Sequence, residues 1–161
     1  FTDRLAVYDK VEAFATRLHT GDGRPFAAVQ ADEKNIPTLS RDLSSRTIRA
    51  ASAYRLTANT TSFAVDASGP GVVVLTEAFY PGDFQVTVDG EPASYFRVNH
   101  AFKGVAIERA GHHEIAFAYW PEHFTLALAL AAAGAVLLAA GAFGLWQADG
   151  KKSSIQPPAA A

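Results

Sequence analysis

FYPGDFQVTVDG, Phe79 to Gly90, decides the fold class. Pro81-Gly82 breaks the chain, Phe84 to Val88 alternates apolar and polar residues, and Asp89-Gly90 closes the run. Alternation with a period of two belongs to a half-buried strand. Asp-Gly supplies the two positive φ angles of a type I′ turn, so a second strand is expected to double back at once. The same pattern extends outward on both sides. Candidate strands are Ile48 to Ala58, Ser62 to Ala67, Gly71 to Glu77, Phe84 to Asp89, Ala93 to Asn99, Phe102 to Glu108 and His113 to Tyr119. The breakers between them include Asn59-Thr60-Thr61, Ser68-Gly69-Pro70-Gly71 and Ala110-Gly111. Short strands at this spacing predict a mainly β chain, an antiparallel β-sandwich or jelly roll over residues 47–120. Val72 to Leu75 is apolar at every position, which predicts a central strand buried on both faces.

Upstream, residues 1–46 read as a helix-and-loop segment. Asp9 to Gly21 predicts a short helix, with Asp9 as N-cap, Glu12 as its capping-box partner and Gly21 as the terminating glycine. Val11, Phe14, Ala15 and Leu18 share one face of it. From Gly21 to Asp42 the chain is polar and broken by Pro25 and Pro37, with room for at most one short strand near Phe26 to Val29.

The 161 residues carry a net charge of −2 and no basic cluster, so nucleic-acid binding has no electrostatic footprint. There is no cysteine, which excludes disulfides, thiolate zinc sites and cysteine nucleophiles. There is also no Met, and the first residue is Phe, as expected of a fragment or a processed chain. FTDRLAVYDK places charges where a signal peptide would need an apolar core.

Phe124 to Trp146 contains no charged residue and, at about 1.5 Å per residue, spans about 34 Å, enough for a hydrocarbon core of about 30 Å. It reads as a transmembrane helix. Tyr119, Trp120 and Trp146 stand where interfacial aromatics are expected, and Lys151-Lys152 follow the C-terminal end. The positive-inside rule then puts the tail in the cytoplasm and everything before residue 124 outside it. Residues 147–161 are expected to be a disordered cytoplasmic tail. Ala127, Ala131, Ala135 and Ala139 recur every four residues, a small-residue face suited to close packing against other membrane helices. The plainer reading is a single-pass anchor rich in alanine.

From Gly71 to Trp146, the order of Tyr80-Pro81-Gly82, Val88-Asp89-Gly90, Asn99 with Phe102 and Val105, Gly111 with His113, Tyr119 with Pro121, and a final apolar helix resembles the C-terminal region of bacterial YfhO-like membrane proteins. In that family a Trp often follows Tyr-Pro-Gly; here Asp83 intervenes and Phe84 supplies the aromatic. The resemblance implies a polytopic protein of the bacterial cytoplasmic membrane with a body like that of GT-C glycosyltransferases. It implies lipid-linked sugar donors, cell-envelope polymers as acceptors, and catalytic acids in loops between early membrane helices. This chain would be the accessory outer β domain and last helix. Its expected partners are the bilayer, other transmembrane helices of the same protein and, on the sugar-binding reading, lipid-linked sugar or envelope polymer.

No catalytic residue, metal or cofactor is expected within the chain. His112 and His113 are adjacent, so on a strand they face opposite sides and cannot share an ion. Glu77, Asp83 and Asp89 lie near the same turns, but a glycosidic pair must converge in one cleft, and Asp89 is accounted for by its turn. Asn59-Thr60-Thr61 has the form of a glycosylation sequon and reads as a turn. Phe79, Tyr80, Phe84, Tyr95, Asn99 and Phe102 could form a sugar platform of flat apolar faces beside hydrogen-bonding groups. Tyr80, Asp83, Phe84, Asn99 and Phe102 are the candidate sugar or partner surface. The alternative is that these aromatics form the core of a structural or partner-binding module.

Overall fold

The computed structural model describes residues 1–153, with side chains through residue 148. The chain divides into two compact units at Pro121 and Glu122. In chain order the first unit holds β1 (Ala6–Tyr8), α1 (Val11–Thr20), β2 (Ala28–Gln30), a 3₁₀ turn at Leu43–Ser45, β3 (Ser52–Leu56), β4 (Thr60–Ala67), β5 (Gly71–Ala78), β6 (Phe84–Val88), β7 (Glu91–Ala93), β8 (Tyr95–Val98), β9 (Phe102–Ile107) and β10 (Gly111–Tyr119). The second unit is α2 (Phe124–Ser153).

Two antiparallel sheets form the body, a five-stranded sheet ordered β3-β4-β10-β6-β7 and a three-stranded sheet ordered β5-β9-β8. Their facing side chains make one core: Phe63 and Val65 from β4, Val86 from β6, Ile115 and Phe117 from β10, against Val73 and Leu75 from β5 and Val105 and Ile107 from β9. The chain is therefore mainly β, and the two sheets pack as a sandwich. β10 alternates as expected: His113, Ile115 and Phe117 are buried while Glu114 is exposed. It lies between β4 and β6 and pairs with both.

The N-terminal segment does more than precede the sandwich. β1 and β2 pair in parallel, and Leu5, Ala27 and Val29 pack on Val72, Phe96 and Val98 of the three-stranded sheet. That sheet is thus covered on both faces. Val72 to Leu75 is apolar throughout for this reason, although β5 is an edge strand of its sheet and not the expected central one. α1 adds an outer layer, with Phe14 against Tyr8 and Phe26 at ring-centroid distances of 5.2 and 6.1 Å. Its N-cap is Lys10, with no side-chain cap, and not Asp9. β1 runs to Tyr8, whose carbonyl accepts from Ala31, so the helix starts one residue later than its capping pattern suggests. Val11 and Leu18 stay exposed.

The Asp89-Gly90 turn has φ of 54° and 82°, the geometry expected of it. The first expected strand contracts to Ser52–Leu56, with a one-residue bulge where Ala53 has φ of 50°. At Gly71 the N-terminal residues cross closely: a Cβ there would stand 2.5 Å from the Thr2 carbonyl oxygen and 2.4 Å from the Phe1 ring. Gly71→Ala is expected to destabilise the β unit by about 1–3 kcal/mol through overpacking, read as a lower midpoint in urea at unchanged slope.

Phe124–Ala148 has the length and apolarity to cross a membrane. The helix does not stop at the expected Trp146 but continues to Ser153. The remainder of the expected tail, residues 154–161, lies outside the described residues.

Candidate functional site

Lys103 sits on the inward face of β9, in phase with Val105 and Ile107, and is fully buried. A buried ammonium demands a partner. β5 carries a register shift between Leu75 and Ala78, and Glu77 lies in that bulge. Its Oε2 accepts from Lys103 Nζ at 2.8 Å, and its Oε1 accepts from the hydroxyls of Thr61 at 2.8 Å and Tyr54 at 3.2 Å. Burial pushes the Glu77 carboxyl up, but the bonds from Lys103 and Thr61, the Lys103 charge and the Tyr54 bond together hold it below its ordinary value. Lys103 Nζ also stands 3.6 Å from the centroid of the Phe84 ring and 5.4 Å from that of Phe117, a double cation–π contact.

Aromatic side chains continue outward from this pair. Tyr95 meets Phe79, Phe84 and Phe117 at centroid distances of 5.5, 6.0 and 6.3 Å, and Phe84 meets Tyr119 at 5.4 Å. The Tyr95 hydroxyl donates to the Tyr80 carbonyl at 2.6 Å and accepts from the Phe84 amide at 3.3 Å, pinning the Tyr-Pro-Gly-Asp loop. Beside Glu77 opens a shallow pocket of about 210 Å³, walled by Phe84, Phe117 and Tyr119 and floored by Thr57, Thr60 and Thr61.

The five candidate residues divide between two places. Phe84 belongs to the Lys103 surround, and Tyr80 and Asp83 belong to its neighbouring loop. Tyr80 is exposed, and the Asp83 carbonyl accepts from Trp120 N–H at 2.8 Å. Phe102 lies on the opposite face of the three-stranded sheet, packed with the Leu5 and Val29 cluster. Asn99 is also tied to that side. Its Oδ1 accepts from Ala28 N–H and its Nδ2 donates to the Phe26 carbonyl, each at 2.8 Å, while its own N–H donates to the Ala28 carbonyl at 2.7 Å. These bonds fasten the β8–β9 turn to β2, and they occupy the Asn99 amide. Two of the three acidic side chains near the turns are bonded to different partners. Glu77 is held by Lys103, whereas Asp89 accepts from Glu114 N–H at 2.8 Å and contacts His113 Nδ1 at 2.7 Å. No cluster of three or more metal-ligating side chains occurs among the described residues.

The bond from Glu114 N–H, and next the one from His113, hold the Asp89 carboxyl below its ordinary 3.8. A depressed carboxylate adds stability above its unfolded pKa and loses it as pH falls through the folded one. Acid titration of the melting temperature below about pH 4 should therefore fall less steeply for Asp89→Asn than for the parent chain, with Glu77 accounting for part of the remaining slope.

Lys103 and Glu77 are absent from the sequence-predicted surface. The available signal was a lysine in phase with Val105 and Ile107, since a polar residue on a buried face is the informative exception. No protein-family model, curated protein or solved structure matches the chain. Fold and site together define a β domain whose last strand leads into a membrane-type helix.

Proposed function

We propose that this chain is a non-catalytic, extracytoplasmic β module with a membrane anchor, the outer C-terminal domain and last helix of a YfhO-like polytopic membrane protein. On this reading the parent is a lipid-linked-sugar glycosyltransferase of the bacterial envelope whose catalytic loops lie in other parts of the polypeptide. The module braces that membrane body or docks a partner to it. The observation that carries the reading is the join between the units. β10 ends at Tyr119 and the apolar helix starts at Phe124, so only Trp120, Pro121, Glu122 and His123 intervene. A connection this short restricts the domain to the neighbourhood of the bilayer. The use of Phe102 and Asn99 inside the fold favours bracing or docking over a sugar surface built on them.

Sidedness is testable by labelling, since this chain contributes no cysteine of its own. Ser68, exposed between β4 and β5, and Gln156 are each changed to cysteine, as Ser68→Cys and Gln156→Cys, in a parent protein whose other cysteines are replaced by serine. In intact cells a membrane-impermeant maleimide should label position 68, and position 156 only after permeabilisation. The reverse pattern would overturn the reading.

A second reading, sugar binding, is favoured by the pocket beside Glu77, where aromatic walls meet threonine hydroxyls. It expects Tyr119→Ala to weaken binding of envelope-polymer oligosaccharides by tenfold or so, about 1.4 kcal/mol, in titration calorimetry.

A further inference from the structure

The two ends of the sandwich differ in polarity. Ala118 pairs with Thr60 and Tyr119 with Phe84, so β4 and β6 both begin where β10 ends. The β3–β4 turn and the β5–β6 loop therefore flank the point where the chain leaves the fold. Tyr119 N–H donates to the Asn59 carbonyl in the first at 2.7 Å, and Trp120 N–H donates to the Asp83 carbonyl in the second at 2.8 Å. Both turns are thus fastened to the exit itself.

Large apolar side chains stand in solvent at this end. Leu56, leading into the β3–β4 turn, is the most exposed of them in the β unit, at 69%. Tyr80 in the β5–β6 loop and Tyr119 and Trp120 at the exit are exposed as well. Leu56 and Tyr119 line one shallow pocket, and the Tyr80 carbonyl is held by the Tyr95 hydroxyl beside Phe84, so the four side chains share one end of the fold. Residues 56–59, 79–83 and 119–121 together contain one charged residue, Asp83. The opposite end is ionic: Asp66, Asp89, Glu91, Glu108 and Arg109 are exposed in or beside its turns. A cluster of exposed apolar side chains marks a surface that meets something other than water. Tyrosine and tryptophan join an apolar ring to a polar group, the combination favoured at the depth of lipid headgroups. Only Pro121, Glu122 and His123 separate Trp120 from the apolar helix α2, so a bilayer crossed by that helix begins beside this end and not beside the ionic one.

We propose that the exit end of the sandwich is a lipid-contacting surface, with Leu56, Tyr80, Tyr119 and Trp120 seated among the headgroups of the bilayer. This seating presupposes the membrane anchor proposed above for α2 and adds to it the loops that touch lipid. Its depth follows from the backbone. The two turns are irregular, and peptide groups outside helices and closed sheets cannot give up their water to hydrocarbon. The contact is therefore confined to the headgroup layer, with the acyl chains left to α2.

The chain contains no cysteine, so a fluorophore can be placed at one position at a time. Leu56→Cys, Tyr80→Cys, Ser68→Cys at the ionic end and Leu137→Cys within α2 are labelled in the full chain and reconstituted into phosphatidylcholine vesicles. Lipid carrying a nitroxide on its headgroup should quench the labels at 56 and 80 and leave the label at 68 bright. Lipid carrying the nitroxide deep in its acyl chains should quench position 137 and spare 56 and 80. Quenching at 137 with none at 56 and 80 from either lipid would overturn the seating and leave the anchor standing. Absence of quenching at 137 would overturn both. Emission at 56 and 80 that shifts to the blue as the protein-to-lipid ratio rises, with no quenching by either lipid, would also overturn the seating and give this end to a second copy of the chain.

Discussion

Glu77→Ala should lower the stability of the β unit by about 3 kcal/mol, on the order of 10 °C in melting temperature for a domain of this size. The size of the effect comes from what is left behind. Lys103 is fully buried, and Glu77 is the only carboxylate bonded to it among the described residues. Breaking a buried pair by removing one member costs about 3–5 kcal/mol, because the other charge stays in a low dielectric. The low end applies here for two reasons. The Glu77 side chain is 34% exposed, and the rings of Phe84 and Phe117 still face the ammonium. The double variant Glu77→Gln with Lys103→Met removes both charges at similar volume and should melt close to the parent chain. Thermal unfolding followed by aromatic circular dichroism in micelles separates the outcomes. If Glu77→Ala melted with the parent, the aromatic contacts alone would be holding Lys103.

Asn99→Ala should cost about 2–4 kcal/mol, since it leaves the Ala28 N–H and the Phe26 carbonyl without their partner and each such group costs about 1–3 kcal/mol. The expected readout is a fall in the urea midpoint at unchanged slope. Asn99 has φ of 49°, a left-handed conformation that Asn tolerates better than Ala. Asn99→Gly relieves that strain while losing the same bonds, so the two variants separate backbone from side chain. Stability restored by Gly would assign the effect to φ. Asn99→Asp keeps the acceptor for Ala28 and loses the donor to Phe26, and should fall between Ala and the parent.

Asn99 also marks where sequence reading stops. Its position near a turn was legible, but its partners are Phe26 and Ala28, more than seventy residues away along the chain. Nothing local announces them. The strands Phe84–Val88 and Gly111–Tyr119 were legible because one face of each is buried and alternation survives. β1 was not, because three residues are too few to display a period, and β2 was legible only as the one short strand allowed near Phe26 to Val29. The missing β1 layer then misplaced β5. Val72 to Leu75 correctly signalled burial on two faces, yet the second cover is Leu5, Ala27 and Val29 and not another strand alongside. The candidate surface divided for a related reason. Phe84 and Phe102 flank the same run of turns in sequence, but the sheet between them sends one to each of its faces.

β10 is the strand that carries the chain from the sandwich to α2, and it is bonded along both edges, to β4 from Gly111 to Ala118 and to β6 from Ile115 to Tyr119. Two more bonds, Tyr119 N–H to the Asn59 carbonyl and Trp120 N–H to the Asp83 carbonyl, clamp its exit. Any pull applied through α2 therefore reaches the middle of a sheet. An edge strand under the same pull could unzip bond by bond. β10 is paired on both sides from Ile115 to Ala118, so there it must shed two neighbours together, and the Phe63, Ile115 and Phe117 core with them.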